Sequence, residues 1–279
     1  MCLNPVMGKY PCRWCVECQL RSTAEWSDRC CEEAAQYGAN NCMVTLTYEK
    51  IGNTLIKKDL TDFIKRLRNF IYPQKLRYFA CGEYGSKGKR PHFHIIFFGY
   101  RPKDLQFVCK KLNKRGLYVN YYGSHELYNV WRSGKNNVDY EVKRGFVSIA
   151  DFDPHEVKYL CKYLSKGLID TGENDKELTW SKIRFKEQYE GRVPPYVVMS
   201  RKPLIGFCAI NIDMLANGGR YVNGKFKYIP KPYLRKLEKM YNTEPYNAVR
   251  TLEYENSQQN QKTFQYYLDI FKKARYKRN

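Results

Sequence analysis

Two short runs in the chain carry residue types that can do chemistry. The first is Pro91-His92-Phe93-His94-Ile95-Ile96-Phe97-Phe98, an apolar stretch holding a His-x-His pair. Side chains alternate along a strand, so His92, His94, Ile96 and Phe98 share one face, and Phe93, Ile95 and Phe97 share the other. Imidazoles on an otherwise apolar face need polar partners, and a divalent metal or a phosphate can serve. Glu83, at the end of the preceding strand, offers a third ligand. Two nitrogens and one carboxylate suit Mg2+ or Mn2+ and leave positions open for phosphate and water. Two ordinary strand histidines are the plainer reading. A nucleotide hydrolase of the histidine-triad kind is excluded, because Ile96 stands where the third alternating histidine would be.

The second run is Tyr159-Leu160-Cys161-Lys162-Tyr163-Leu164-Ser165-Lys166. Asp153-Pro154-His155-Glu156 is a helix start, with Asp153 as N-cap, and Gly167 is a stop. Val157, Leu160, Cys161 and Leu164 form one apolar stripe at helical spacing. Tyr159, Lys162, Tyr163 and Lys166 repeat that spacing on the opposite side. The apolar stripe can anchor the helix while two hydroxyls and two ammoniums point one way. A free tyrosine has a pKa of ~10, so only ~0.1% is phenolate at pH 7. Bringing it to neutrality takes about 4 kcal/mol of phenolate stabilisation, and neighbouring lysines act in that direction. Tyrosines that attack phosphate beside a metal would cleave a strand through a covalent intermediate. A solvated Tyr/Lys-rich face is the competing reading.

The elements that would position these residues follow from the patterning. Arg21 to Tyr37 reads as a helix ended by Gly38, and Met43 to Tyr48 as a β-branched strand. Leu60, Phe63, Ile64, Leu67, Phe70 and Ile71 mark an amphipathic helix stopped by Pro73. Leu76 to Gly82 and His92 to Phe98 read as an antiparallel hairpin. Residues 102–112 are expected to be a helix with Leu105, Val108 and Leu112 inward, and Glu126 to Trp131 a shorter one. Ser133 to Arg144 reads as a polar surface loop, and Phe146 to Ile149 as a short strand before the tyrosine helix. The expected fold class is α+β, a central antiparallel sheet backed by helices, with a mixed basic C-terminal extension.

Lys and Arg total 49 against 28 Asp and Glu, a net charge of +21. Such an excess favours a polyanion, nucleic acid ahead of a membrane surface. Twenty-five tyrosines, many beside basic residues, suit single-stranded nucleic acid, where bases stack and phosphates pair; most of them serve simply as strand and half-buried residues. No apolar run approaches the ~20 residues a membrane helix needs, and Met1 to Tyr10 lacks the pattern of an export signal. The expectation is a protein of a reducing cytosol, without a membrane partner, whose cysteines are thiols or metal ligands.

Taken together, the motifs resemble a known family. His92-Phe93-His94 is similar to the HUH motif of rolling-circle replication initiators, relaxases and some transposases. Tyr159-x-x-x-Tyr163-x-x-Lys166 resembles the two-tyrosine motif of initiators from isometric single-stranded DNA phages. Met43 to Tyr48 sits where such proteins carry a first strand motif, and Glu83 is similar to the carboxylate ligand of related viral initiators. Cys81-Gly82-Glu83-Tyr84-Gly85, Arg90-Pro91-His92, Met199-Ser200-Arg201-Lys202-Pro203 and Pro11-Cys12-x-x-Cys15-x-x-Cys18 resemble the gokushovirus branch of microviruses. The resemblance covers roughly residues 1–210.

It implies an HUH (Rep nuclease, RRM-like) fold and a DNA nickase and ligase. Glu83, His92 and His94 would hold Mg2+ or Mn2+ against the scissile phosphate. Tyr159 or Tyr163 would attack, leaving a 5′-phosphotyrosine and a 3′-hydroxyl, with Lys162 and Lys166 assisting. The implied partners are single-stranded DNA, a viral replication origin, and a host helicase and polymerase in the bacterial cytoplasm. No G-x-x-x-x-G-K-[ST] motif for a P-loop helicase occurs. The implied organisation is an N-terminal Cys-containing arm and helix (1–42), a nuclease domain (43–170) and a basic, DNA-contacting C-terminal region (171–279).

Cys12-x-x-Cys15-x-x-Cys18, with Cys2 available, has the donors for a structural Zn2+. Paired C-x-x-C elements of a finger are absent and the spacing is tight for one tetrahedron, so cytosolic thiols are the favoured reading. His155 reads as a surface residue of the first helical turn, and Trp26 and Trp131 as core. The Phe271 to Asn279 tail is basic with interleaved aromatics, a nonspecific DNA grip or a solvated end. Two other readings compete with the initiator. One is a relaxase or transposase of the same chemistry. The other is a noncatalytic basic protein that coats or packages single-stranded DNA.

Overall fold

The computed structural model describes residues 12, 15–49, 54–85, 90–113, 115–132, 144–161, 191–210, 219–222, 225–230 and 233–236. The chain divides into two compact units, Gln19–Gly206 and a second formed by Met1–Cys18 with Phe207–Asn279. Lys162, Tyr163, Lys166, Cys2, the 133–143 loop and the basic tail lie outside the described residues.

The larger unit is built on a seven-stranded antiparallel sheet. Its strands are β1 (Cys42–Tyr48), β2 (Arg77–Tyr84), β3 (Pro91–Phe98), β4 (Gln106–Leu112), β5 (Tyr118–Gly123), β6 (Arg144–Asp151) and β7 (Tyr196–Met199). They lie in the order β4-β5-β6-β1-β3-β2-β7, so the histidine strand is internal. Four helices accompany them: α1 (Val16–Ala35), α2 (Lys57–Phe70), α3 (His125–Arg132) and α4 (Pro154–Cys161). The α+β expectation holds, and the HUH-type arrangement is compatible with this order.

Alternation along β3 divides the core as the sequence pattern anticipates. Phe93, Ile95 and Phe97 join Leu60, Phe63, Ile64 and Leu67 of α2 and Leu127, Val130 and Trp131 of α3. Trp131 is fully buried and donates its indole N–H to the Thr47 carbonyl at 3.0 Å. On the opposite face, Ile96 and Phe98 pack with Phe79 and Cys81 of β2, Cys30 and Ala34 of α1, and Val157, Leu160 and Cys161 of α4. That second face is the one His92 and His94 occupy.

Residues 102–112 do not form the expected helix. Gln106–Leu112 is β4, paired with β5, and nearly all of it is exposed. The register shifts between Phe107 and Cys109, so Val108 is an extra residue that breaks the period of two. Leu105, Val108 and Leu112 then fall at helical spacing by coincidence. The β6 strand also bulges, opposite Leu46 to Tyr48. A Cβ on Gly145 would lie 2.6 Å from the Glu49 backbone nitrogen, so only glycine fits there.

In the smaller unit, Gly219–Val222 (β8) and Lys225–Tyr228 (β9) form a hairpin. The 3-10 turn Phe207–Ala209 brings Phe207 edge-on to buried Tyr233, with ring centroids 5.7 Å apart.

Candidate metal centre and nucleophile helix

The hairpin register brings the three expected ligands together. Glu83 on β2 lies directly opposite His92 on β3, and Cys81 opposite His94. Cross-strand partners share a face, so a carboxylate and two imidazoles converge. Glu83 Oε1 is 2.9 Å from His92 Nε2 and 2.9 Å from His94 Nε2, and the two Nε2 atoms are 3.1 Å apart. The imidazole planes stand at 88° to one another. Glu83 is only 4% exposed, while the histidines are more open.

Outer partners decide which ring nitrogens carry hydrogen. His92 Nδ1 is 3.0 Å from the Arg90 carbonyl, which can only accept, so Nδ1 must donate. In the neutral ring this leaves the Nε2 lone pair facing Glu83. His94 Nδ1 is 3.0 Å from Thr45 Oγ1, a hydroxyl able to accept in the same way. Two lone pairs and a carboxylate oxygen then face one another within hydrogen-bond distance. Three acceptors repel unless a proton or a cation lies between them. The N2O donor set, with outer hydrogen bonds fixing the rings, fits a hard divalent cation.

Neighbouring contacts hold the end of β2. The Leu55 N–H donates to the Tyr84 hydroxyl at 3.1 Å, and that hydroxyl donates to the Val193 carbonyl at 2.7 Å. On the face away from the ligands, the Tyr196 ring packs on Gly82, where a Cβ would meet it at 3.0 Å. Burial pushes the Tyr196 phenol well above its ordinary pKa, followed in effect by the Asp59, Cys81 and Tyr84 charges.

The α4 helix begins as its sequence dictates. Asp153 Oδ1 accepts the His155 N–H at 2.9 Å, and the Asp153 carbonyl accepts the Val157 N–H at 3.0 Å. Val157, Leu160 and Cys161 are buried against the histidine-bearing face, and Tyr159 is 37% exposed. Burial, and after it the Glu156 carboxylate, raises the Tyr121 phenol on β5, which sets the first turn of α4 near that strand.

Sequence reasoning missed Thr45 and Thr47. Both lie on β1 opposite the histidines, Thr45 with His94 and Thr47 with His92. Their signal was available: two hydroxyls at alternate positions in Met43-Val44-Thr45-Leu46-Thr47-Tyr48, on one face of a buried strand.

The stretch that carries this geometry has known relatives. Residues 41–168, from β1 through α4 and past the second tyrosine, match the model of a family described as replication-associated protein ORF2. That stretch belongs to the replication-associated protein family. Similar proteins include replication-associated protein ORF2 of Spiroplasma virus 4, 32% identical over 58% of this chain and 50% of that protein. Replication-associated protein ORF4 of Chlamydia phage 1 is 27% identical over 86% of this chain and 58% of its own length. Replication-associated protein VP4 of Bdellovibrio phage phiMH2K is 31% identical over 57% of this chain and 50% of its own. The chain thus spans about half the length of the curated relatives it matches. No solved structure matches it. The gokushovirus-type resemblance read from the motifs agrees with these relatives.

Proposed function

We propose that this protein initiates rolling-circle replication by nicking and rejoining single-stranded or supercoiled viral DNA at an origin, through a tyrosine nucleophile. The observation that carries the reading is the convergence of Glu83 Oε1, His92 Nε2 and His94 Nε2 within 2.9–3.1 Å, inside the family-matched stretch. These three residues would hold Mg2+ or Mn2+, which when bound polarises the scissile phosphate. The Arg90 carbonyl and the Thr45 hydroxyl orient the two rings for ligation.

Tyr159 or Tyr163 attacks phosphorus through its phenolate oxygen. A phosphotyrosine P–O bond forms as the P–O3′ bond breaks, and the released 3′-oxygen takes up a proton. Lys162 and Lys166, one turn apart beside the tyrosines, favour the phenolate and hold phosphate. One phosphodiester replaces another, so rejoining by the reverse reaction needs no ATP. A second tyrosine allows a second cut while the first still holds the strand. Extension of the 3′-hydroxyl and unwinding fall to a host polymerase and helicase in the bacterial cytoplasm.

Incubation with circular single-stranded DNA of the source phage and Mn2+ should yield a covalent 5′-linked protein–DNA adduct. Chelator should abolish it, and so should Tyr159→Phe combined with Tyr163→Phe. A coating or packaging protein gives no adduct, and an adduct that survives the double substitution moves the nucleophile elsewhere.

A further inference from the structure

We propose that Cys12, Cys15 and Cys18 hold a structural zinc ion, the sulfurs of one mononuclear site. Their Sγ atoms all lie within 4.8 Å of one another, and Cys12 Sγ is 4.0 Å from Cys18 Sγ. Zn–S bonds of about 2.3 Å put the corners of a tetrahedron about 3.8 Å apart, which matches. A disulfide needs its sulfurs at about 2.05 Å. A four-iron cluster binds each cysteine to a different iron and spreads the sulfurs further. The tight C-x-x-C-x-x-C spacing, which weighed against zinc in the bare sequence, is accommodated because the chain turns into α1 at Val16. Cys12 and Cys15 are 2% and 8% exposed, and the Cys15 N–H donates to Cys12 Sγ at 3.3 Å. That bond and the helix N-terminus both favour the thiolate. Binding displaces the thiol protons, and the fourth position goes to a further donor or water.

Cobalt substitution tests the site without reference to DNA cleavage. The full chain loaded with Co2+ should show a thiolate-to-cobalt charge-transfer band, which the Glu83, His92 and His94 cluster cannot produce. The band and the bound zinc should vanish in Cys12→Ser/Cys15→Ser/Cys18→Ser and persist in Cys109→Ser. As a check that does not depend on the variant folding, stripping metal from the unmodified chain should expose three more thiols to a disulfide reagent. Absence of the band, zinc retained by the triple variant, or no gain in reactive thiols overturns the proposal.

A different observation, on the sheet face, carries a second inference that rests on the proposed function. Phe146 is 73% exposed although it is a large apolar side chain on β6. Thr47 Oγ1 accepts the Phe146 N–H at 3.0 Å and donates to its carbonyl at 3.2 Å, fixing the bulge that Gly145 permits. Thr47 itself is the cross-strand partner of His92. Val147 packs into the α2 side of the sheet, so Phe146 presents its ring on the histidine side, two strands or about 10 Å from His92. Lys111 stands over the Tyr121 ring at 5.4 Å further along this face, on a chain of net charge +21. We infer that Phe146 stacks a nucleobase of the single strand beside the scissile phosphate.

Phe146→Ala should weaken binding of an origin-derived single-stranded oligonucleotide about 5- to 150-fold, and Phe146→Trp should restore it. An abasic nucleotide at the stacked position should erase the difference between the unmodified protein and Phe146→Ala. Unchanged affinity in Phe146→Ala, or an equal loss on the abasic strand, sinks the stacking role alone. Failure of the unmodified protein to form any adduct sinks the cleavage reading instead.

Discussion

Glu83→Gln tests the triad most directly, because it changes charge while keeping shape. In the native protein Glu83 Oε1 accepts only, and it faces two ring nitrogens at 2.9 Å. A bound cation stabilises the fold by RT ln(1 + [M]/Kd), about 2.7 kcal/mol at a hundredfold excess over Kd. For a unit of this size that raises the melting temperature by roughly 5–10 °C. The amide carries no charge and turns N–H donors toward the imidazoles. If affinity falls about a hundredfold, the same Mn2+ concentration contributes only about 0.4 kcal/mol, a rise of about 1 °C. The metal-free variant meanwhile gains a donor for a lone pair, a hydrogen bond of about 1 kcal/mol, and should melt no lower than the parent. Differential scanning calorimetry with and without Mn2+, at one fixed pH, reads both effects. A full Mn2+ shift in the variant would refute the ligand assignment. A metal-free variant melting several degrees lower would show that Glu83 holds protonated histidines as an ion pair.

Other perturbations give equally definite outcomes. Trp131→Ala removes a fully buried ring and its bond to Thr47, and should cost about 3–5 kcal/mol in urea unfolding. Gly145→Ala should destabilise the bulge that frames Phe146, because its Cβ would meet backbone at 2.6 Å; unchanged stability would show that the bulge relaxes. Burial pushes the Cys42 thiol from 9.0 to about 12, partly offset by Arg101. Its folded-state pKa is raised, so this stability is present below pH 9 and is lost as pH climbs from about 9 toward 12. Urea midpoints taken across roughly pH 8–11 should therefore fall, and fall less steeply in Cys42→Ala. Adduct yield and oligonucleotide affinity should both drop steeply with added salt, and a flat response would remove the electrostatic account of binding.

The pattern of the chain by itself determined much of this protein. The His92/His94 face, the opposing Phe93, Ile95 and Phe97 face, the α2 stripe and the Asp153 cap are local periodicities, and each appears in the structure where its spacing put it. Residues 102–112 were illegible because a bulge at Val108 cancels the strand period and little of the strand is buried to mark a face. Only pairing between β2 and β3 decided that Glu83 meets His92, since a slip of one residue would have turned the carboxylate to the far face. The roles of Thr45 and Thr47, the exposed ring of Phe146 and the convergence of three thiols likewise depend on neighbours distant along the chain or on the turn of the backbone. Residue type and spacing state which chemistry a chain can do. Register and closure decide which atoms come within bonding distance to do it.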